Sequence, residues 1–448
     1  MHKGLLACIF SFAVLSISCK KKIVDLVNPG SGGTAVAASY FVSPTGDDNN
    51  NGTAASTPFK TIQKAANSVL PGDVVSLMNG TYNSASINIT RSGTSDKYIT
   101  FKAFPGHSPK IFAINIWNAL IINGSYIIIE GIELEGNNTN LTYNGAYAAY
   151  TAHAAGGPAL PAYNTNGISI GGPAGESKMP HHIIIRNCKV HDFPGGGISS
   201  IQADYTTIEG NIVYNNAWYM VYAGSGISIL NPFNSDGVTT YKNIVRNNIV
   251  YSNKTTIPWI SLTPNRLSDG NGIIIDVNTR PYGSNTSTNP YNGRTLVENN
   301  VSYNNGGSGI HCFDAKHVDI INNTAFNNGQ VVGYAEIFSN KCTDVKIINN
   351  IMYGRTGGAC NSNFNNTNVT YDYNIYFNGT TSIKGTNDKV VDPQFVMLST
   401  NPAVANFSVN MTSPAIDAGT STIFSAKDIL GVTRPKGAGV DCGAYEVK

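Results

Sequence analysis

Four polar side chains with chemical capacity stand among aliphatic residues between positions 269 and 314. Asp269 precedes the apolar run GIIID, which ends at Asp276, while His311 lies inside the similar run GIHCF and Asp314 follows it. An imidazole near carboxylates can transfer a proton near neutral pH, and carboxylates can bind a hard cation such as calcium. We predict that His311, Asp276 and Asp314 are catalytic, and that Asp269 and Asp276 help to hold Ca²⁺. The alternative is that His311 is exposed without a function, and that two carboxylates alone do not supply enough ligands for a metal site.

Strand alternation predicts which way these side chains point. Successive residues of a strand face opposite sides, so Ile273 and Ile275 should point inward and leave Ile274 outside, with Asp276 at the outer end of the strand. By the same rule Ile310 and Cys312 point inward. We therefore expect His311 to project outward into a groove.

The elements that position these residues belong to a repeat. Each unit is an apolar strand, an asparagine turn, a second apolar strand and another polar turn, as in TTIEGNIVYNN, NIVRNNIVYSN, TLVENNVSYNN, VDIINNTAFNN and VKIINNIMYGR. Where no loop intervenes the period is about 22 to 27 residues, which is typical of solenoids. The asparagines at the aligned turn should stack and hydrogen-bond along the axis; they are Asn211, Asn248, Asn300, Asn323, Asn350 and Asn374.

A third strand per coil begins with glycine, in GISSI, GISIL, GIIID and GIHCF. Three strands per coil with asparagine ladders resemble the right-handed parallel β-helix of pectate-lyase-like proteins. We expect an all-β fold of this kind over residues 40–395, followed by a closing module over 396–448. A helix from Phe59 to Val69, with Phe59, Ile62, Ala66 and Val69 on one face, should cap the first coil.

Long insertions at 137–165, 231–242, 254–268 and 278–293 indicate where a site should lie, because regular coils tolerate extra length only at turns. The last three should form walls on both sides of the glycine-initiated strands. Aromatic residues in or beside these walls could stack on sugar rings or merely pack their own loops; they are Trp218, Tyr219, Trp259, Tyr282 and Tyr291. Arg266 and Arg280 could each bind a uronate carboxylate bidentately.

Composition and the N-terminal region predict an exported protein. A net charge of +2 with 12% charged residues argues against nucleic-acid binding. Residues 1–19 read as a signal sequence resembling a bacterial lipobox, in which Cys19 would carry a lipid; an ordinary signal peptide is the alternative. Residues 20–39 read as a flexible tether. We expect a monomer in the periplasm or on the cell surface, touching a membrane only through the lipid anchor, and with its other cysteines as buried free thiols.

Two short stretches permit a closer family comparison. YFVSPTGDDNNNG and TPFKTIQKAANSVLPGDVV resemble the start of family 9 polysaccharide lyases, but Ile274 stands where those enzymes carry a catalytic lysine and their DDGWD-like calcium motif is absent. That base and that calcium site therefore do not carry over. EIFSNK resembles the EIISxK pattern of family 6 lyases, which would make Glu336 a calcium ligand and Lys341 a base.

Three functions remain open on this sequence. The first is a polysaccharide lyase that removes the proton α to a uronate carboxylate, with His311 as base and Arg266, Arg280 or a cation neutralising the charge. The second is a glycoside hydrolase with Asp276 and Asp314 as acid and base. The third is a surface protein that binds glycan without cleaving it.

Overall fold

The computed structural model describes residues 37–83, 85–171, 179–279 and 291–447. The predicted signal sequence with Cys19, the tether up to residue 36, and the candidate site residues Arg280 and Tyr282 lie outside these ranges. Neither helix within them is long and apolar enough to cross a membrane.

Three parallel sheets run the length of the molecule. Sheet A contains Tyr40–Val42, Val74–Leu77, Ile99–Ala103, Ile127–Glu130, His181–Arg186, Asp204–Glu209, Tyr241–Arg246, Arg294–Glu298, Lys316–Ile321, Thr343–Ile348 and Thr367–Asp372. Sheet B contains Gly80–Asn83, Pro109–Phe112, Glu133–Glu135, Lys189–His191, Ile212–Tyr214, Ile249–Tyr251, Val301–Tyr303, Thr324–Phe326, Ile351–Tyr353, Ile375–Phe377 and Lys389–Val390. Sheet C contains Ile87–Ile89, Asn118–Ile122, Asn166–Ile170, Ile198–Ile201, Ile227–Leu230, Ile273–Asp276, Ile310–Phe313, Ile337–Asn340 and Asn363–Phe364.

The chain visits the sheets in the order A, B, C in each coil, so the predicted three-strand parallel β-helix is confirmed. Isoleucines at equivalent positions of sheet C pair in register from coil to coil, as Ile227 with Ile273 and Ile273 with Ile310. They are fully buried, and alternate residues of sheets A and B join them in one continuous core. Each coil buries its apolar face only against its neighbours, as expected of a solenoid.

Two asparagine ladders stitch the coils together. The predicted ladder, between sheets A and B, is confirmed: Asn248 donates its Nδ2 to Asn300 Oδ1, and Asn300 donates to Asn323 Oδ1, both at 3.0 Å. It continues through Asn350 and Asn374. A second ladder lies between sheets B and C and consists of Asn216, Asn253, Asn305 and Asn328.

Four sheet C strands are preceded by a glycine that the second ladder requires. A Cβ on Gly272 would lie 2.1 Å from Ser302 Oγ and 2.8 Å from Asn305 Nδ2, so no side chain fits between ladder and strand. The glycine-initiated pattern is therefore a packing constraint.

The helices differ from the sequence prediction. Helix α1 spans Ile62–Ser68, shorter than predicted, because Thr61 caps it by accepting from Lys64 N and Phe59 is instead held in a bridge to Val42. Its predicted apolar face is buried, and Gln63 bonds the backbone of Asn88 in the first strand of sheet C. That α1 caps the β-helix stays a prediction. A second helix, α2 (Tyr143–Ala154), lies in the 137–165 insertion, and its Ala- and Tyr-rich sequence gave no helical stripe.

The C-terminal residues pack along the side of the coils. An antiparallel pair, Phe395–Met397 with Asn406–Val409, lies over the aromatic residues of sheet B. Asp417, Asp428 and Asp441 accept backbone N–H groups of turns, as expected for structural residues. The five cysteines of the described chain are buried free thiols, as predicted; they are Cys188, Cys312, Cys342, Cys360 and Cys442.

Candidate functional site

The outward face of sheet C is the floor of the candidate site. Loops between sheets B and C border it on one side, and loops between sheets C and A border it on the other. The predicted insertions fall on these two borders as far as the described chain shows them. One row of the floor, in register across six coils, consists of Ser169, Ser199, Ser228, Ile274, His311 and Phe338.

His311 lies on this outward row as predicted, but its side chain is not open to a groove. The residue is 6% exposed, and its ring packs against Phe338, Tyr334 and Phe313 at centroid distances of 4.1, 5.6 and 5.8 Å. Neither ring nitrogen has a hydrogen-bond partner among the described residues. Burial lowers the pKa of His311 to about 3, so the imidazole is neutral. The expected exposure was wrong because the sequence does not show which loop side chains cover the floor; Ile274, 4% exposed, is covered too.

Tyr334 is the covering residue that sequence reasoning missed. It comes from the loop between sheets B and C that follows His311, and it is itself half-buried. Burial raises the pKa of its hydroxyl, on which Ser268, Asp269 and Arg266 also act. Tyr334 thus joins the loop that carries Arg266 and Asp269 to the floor at His311.

Three charged residues line the end of sheet C where the chain turns toward sheet A. Asp276 ends one strand, and Asp314 and Lys341 occupy the same turn in the next two coils, with φ of 46° and 56°. Asp314 Oδ1 accepts from Thr279 Oγ1, and Lys341 is exposed with Nζ 5.2 Å from the centroid of the Phe313 ring. The predicted carboxylates therefore lie on neighbouring coils, and Lys341 is the accessible cation beside them.

The structure separates the two predicted calcium ligands. Asp269 lies in a turn before the strand Ile273–Asp276, and Asp276 lies at the strand's other end, about 10 Å further on at a strand's rise per residue. Asp269 receives a bond from Asn271 at 3.4 Å, and burial raises its pKa to about 6. Calcium binding by Asp269 and Asp276 stays a prediction.

Glu336 is not placed as a calcium ligand. Its carboxylate is 1% exposed and accepts from both Asn328 N and Asn328 Nδ2, at 2.9 and 2.5 Å, so it ends the second asparagine ladder. Burial raises its pKa to about 8. These contacts account for Glu336 as the end of a ladder, and calcium binding by Glu336 stays a prediction.

The predicted sugar-stacking residues have different surroundings. Tyr291 is 2% exposed and its hydroxyl donates to Asp204, so its assignment as a groove residue is wrong: the ring belongs to a buried cluster around Lys242. Trp218 is half-buried, with Lys254 Nζ 3.8 Å from its ring centroid and its Nε1 bonded to Ser252 O. Trp259 is half-buried, and its backbone pairs with that of Arg266. A sugar-binding role for either tryptophan stays a prediction.

A different group of polar residues lies on the outer face of sheet B. Glu133, Glu135 and His191 bring ligand-type atoms within 4.8 Å of one another. Lys110 already pairs with both glutamates, at 3.3 and 2.5 Å, and His191 bonds Glu133 and Asp192. These contacts hold the pKa of Glu133 down to about 2 and raise that of His191, although burial opposes both shifts. An ion-pair network accounts for this group.

The fold and the candidate site together define a parallel β-helix in which loops border the outward face of sheet C on both sides. The sequence model of the Pel9A-like right-handed β-helix region matches residues 40–350, and the chain belongs to that family.

One solved structure agrees on the fold, and two others are less similar. The chain superposes on pectate lyase Pel9A with a TM-score of 0.53 at 18% identity, over 91% of this chain and 96% of that one. A GH136 lacto-N-biosidase from Eubacterium ramulus gives 0.46 at 16% identity, over 75% of this chain and 56% of that one. An alginate lyase from Paenibacillus sp. gives 0.44 at 16%, over 73% and 94%. No curated protein matches the sequence.

Proposed function

We propose that this protein is a polysaccharide lyase that cleaves a uronate-containing glycan by β-elimination on the outward face of sheet C. The observation that carries the proposal is the match to the Pel9A-like region, which spans the sheet C strands up to Ile337–Asn340. The placement of loops along both borders of that face supports it, because binding residues concentrate on loops held by a rigid scaffold.

Elimination needs a base for the proton α to the carboxylate and positive charge to stabilise the resulting anion. The electron pair of the broken C–H bond forms a double bond as the glycosidic oxygen leaves. The exposure of Lys341 supports its assignment as the base in preference to His311, whose ring is covered by Tyr334 and Phe338. Arg266, exposed on the opposite border, is suited to bind the uronate carboxylate.

A direct assay separates the open functions. The purified protein is incubated with polygalacturonate, rhamnogalacturonan, alginate and glycosaminoglycans, with calcium or with a chelator. Ultraviolet absorbance from a new conjugated double bond is expected for one acidic glycan. New reducing ends without that absorbance would replace the lyase by a hydrolase, and binding with neither product would make the protein a glycan-binding protein.

The pH dependence tests His311 as the base. With a pKa of about 3 this histidine is already neutral from about pH 5 to about pH 9, so kcat/KM should be flat over that range if His311 is the base. A rise of kcat/KM across that range would argue against His311. Lys341→Met should lower kcat at least about 100-fold, whereas the exposed control Lys384→Met should not. Full activity in Lys341→Met, with loss in His311→Leu, would return the base to His311.

A glycoside hydrolase is the second candidate because Asp276 and Asp314 lie on neighbouring coils, at the same end of the sheet C strands. Two carboxylates flanking a glycosidic bond are the usual acid and base of that reaction. Asp314→Asn would then abolish formation of reducing ends, while Lys341→Met would leave it unchanged.

We further propose that the chain is exported and anchored by a lipid on Cys19. The charged start, apolar run and small residues before Cys19 support this. Labelling of cells with a fatty-acid analogue should mark the wild type and not the Cys19→Ala variant. After cell fractionation, the wild type should be found with the membranes and the variant should not.

A further inference from the structure

Two aromatic rings are left exposed at the upstream end of the sheet C face. Trp117, immediately before the strand Asn118–Ile122, is 44% exposed, and Tyr222, in a loop between sheets B and C, is 41% exposed. Their ring centroids lie 6.4 Å apart with planes at 45°, so the two rings form a shallow aromatic corner. Exposed large aromatic surface of this kind is the informative exception to burial.

The loops around Tyr222 hold the ring in place without covering it. Val221, its neighbour, donates its N–H to Asn164 Oδ1 and accepts from Ile260 N, at 3.1 and 2.9 Å. The Tyr222 hydroxyl lies 3.5 Å from Nε2 of His153 in α2, whose Nδ1 donates to Gly157 O at 2.7 Å. That bond leaves Nε2 as the acceptor, so the hydroxyl donates to it. The 137–165 insertion thus orients an exposed phenol ring.

Polar groups adjoin the corner on the floor of sheet C. The Trp117 carbonyl accepts from Asn166 N at 2.8 Å, which fixes the tryptophan beside the next coil. Asn166 Nδ2 and Ser169 Oγ both donate to Asn118 Oδ1, at 3.2 and 2.6 Å. Ser199 continues the row in register with Ser169. Flat apolar rings therefore meet a row of amides and hydroxyls.

We infer that Trp117 and Tyr222 form a sugar-binding subsite that takes a pyranose ring of a glycan. A pyranose presents C–H groups on its faces and hydroxyls at its edge, which matches aromatic faces beside an amide and hydroxyl row. The inference extends the proposed function by naming a subsite, and rests on it only for the identity of the glycan. The strand after Trp117 lies four coils from Ile273–Asp276, about 19 Å at the spacing of neighbouring strands. A glycan along the axis must therefore span several sugar residues to reach both places.

The test measures binding separately from cleavage. Affinity electrophoresis and titration calorimetry with long chains of the four acidic polysaccharides compare wild type with Trp117→Ala and Tyr222→Ala. Lys341→Met serves as background so that no substrate is consumed. Each variant should bind the preferred polysaccharide about tenfold more weakly, a loss of about 1.4 kcal/mol, and bind its short oligosaccharides unchanged. Tyr143→Ala, an equally exposed aromatic at 50% on α2, is the matched control.

Each outcome decides the inference. Because both rings lie at the surface, the variants should keep the wild-type unfolding temperature. An unchanged unfolding temperature would show that the lost binding is a local effect of the substitution. Equal binding by all variants would overturn the subsite, as would a wild type that binds none of the four polysaccharides. Binding that depends on Trp117 and Tyr222, together with no cleavage by the protein that retains Lys341, would keep the subsite while the lyase fails.

Discussion

His311 illustrates how a single titratable side chain couples burial to pH. Its ring is enclosed by Phe313, Tyr334 and Phe338, and neither nitrogen has a partner among the described residues. Desolvation disfavours the charged form, so the folded-state pKa falls to about 3 from about 6.5 in an unfolded chain. At pH values between about 3 and about 6.5, His311 is protonated in the unfolded chain and neutral in the folded protein. The contribution to stability is therefore complete above pH 6.5 and is lost as the pH falls toward 3.

The lowered pKa of His311 predicts that the wild type and the His311→Leu variant differ in how much stability they lose at acidic pH. Lowering the pH from about 6.5 to about 4.5 should cost the wild type about 2 kcal/mol through this residue alone. The leucine variant lacks that loss, so its unfolding temperature should fall less over the same interval. His107→Leu, at a half-buried turn residue that accepts from Asn79 N, is the control. Equal acid sensitivity of the His311→Leu variant and the wild type would contradict a buried neutral histidine.

Side-chain direction could be predicted from the sequence at this site, but side-chain exposure could not. Alternation correctly put His311 on the outward face, because it depends only on the strand's own residues. Its cover, Tyr334, lies 23 residues further along the chain in a loop of no regular pattern. The same holds for Tyr291, whose burial depends on Asp204, two strands away in sheet A from the strand Arg294–Glu298 that follows Tyr291. Predicted catalytic roles for Asp276, Asp314 and His311 stay predictions.

At the scale of the elements, both asparagine ladders end in a carboxyl group, which is buried in Glu336 and half-buried in Asp388. Asn328 donates twice to Glu336, and Asn374 donates from its N and Nδ2 to Asp388 Oδ1, at 2.7 and 3.2 Å. Each rung accepts from the preceding coil and donates to the following one, so the last rung leaves donors without a further asparagine. A carboxyl oxygen satisfies them, since unpaired buried donors are costly.

Removing a middle rung should therefore destabilise the β-helix strongly. Asn300 Oδ1 accepts from Asn248 N and Nδ2, and Asn300 Nδ2 donates to Val245 O and Asn323 Oδ1. Asn300→Ala leaves several buried groups unpaired at about 1 to 3 kcal/mol each. Chemical denaturation should show a large drop in the unfolding midpoint, whereas the exposed Asn387→Ala should change it little. A midpoint drop no larger than that control's would mean that water replaces the rung.

The repeat made these ladders predictable, and its absence elsewhere explains what was missed. Asn211 and its equivalents recur at one turn of each coil, so their stacking could be read directly. Helix α2 lies in an insertion with no counterpart in other coils, and its buried residues, Ala146 and Tyr150, contact loops rather than sheets. Contacts between insertions depend on how the coils stack, which no single segment encodes.

At the scale of the whole molecule, the C-terminal residues complete the side of the β-helix. His191, Tyr214, Tyr251 and Tyr303 stack along the outer face of sheet B at centroid distances of 4.7 to 4.9 Å. Phe407 continues the row at 5.0 Å from Tyr303, within an apolar cluster that contains Tyr445. A buried ion pair between Arg434 and Glu446 at 3.0 Å fixes the closing turns, with Arg434 also donating to Asp441 O and Gly443 O.

This packing predicts that the coils and the C-terminal residues unfold together. Phe407 is 1% exposed and also contacts Phe326 and Phe395, each at 5.5 Å, so Phe407→Ala removes a ring shared by both parts. The loss should be about 3 to 5 kcal/mol and should lower a single unfolding transition in calorimetry. Phe364→Ala, at a residue 57% exposed, should leave that transition in place. If Phe407→Ala instead made only residues 396–447 sensitive to protease while the coils kept their unfolding temperature, those residues would be a separately folding module, because loss of their docking would not reach the solenoid core.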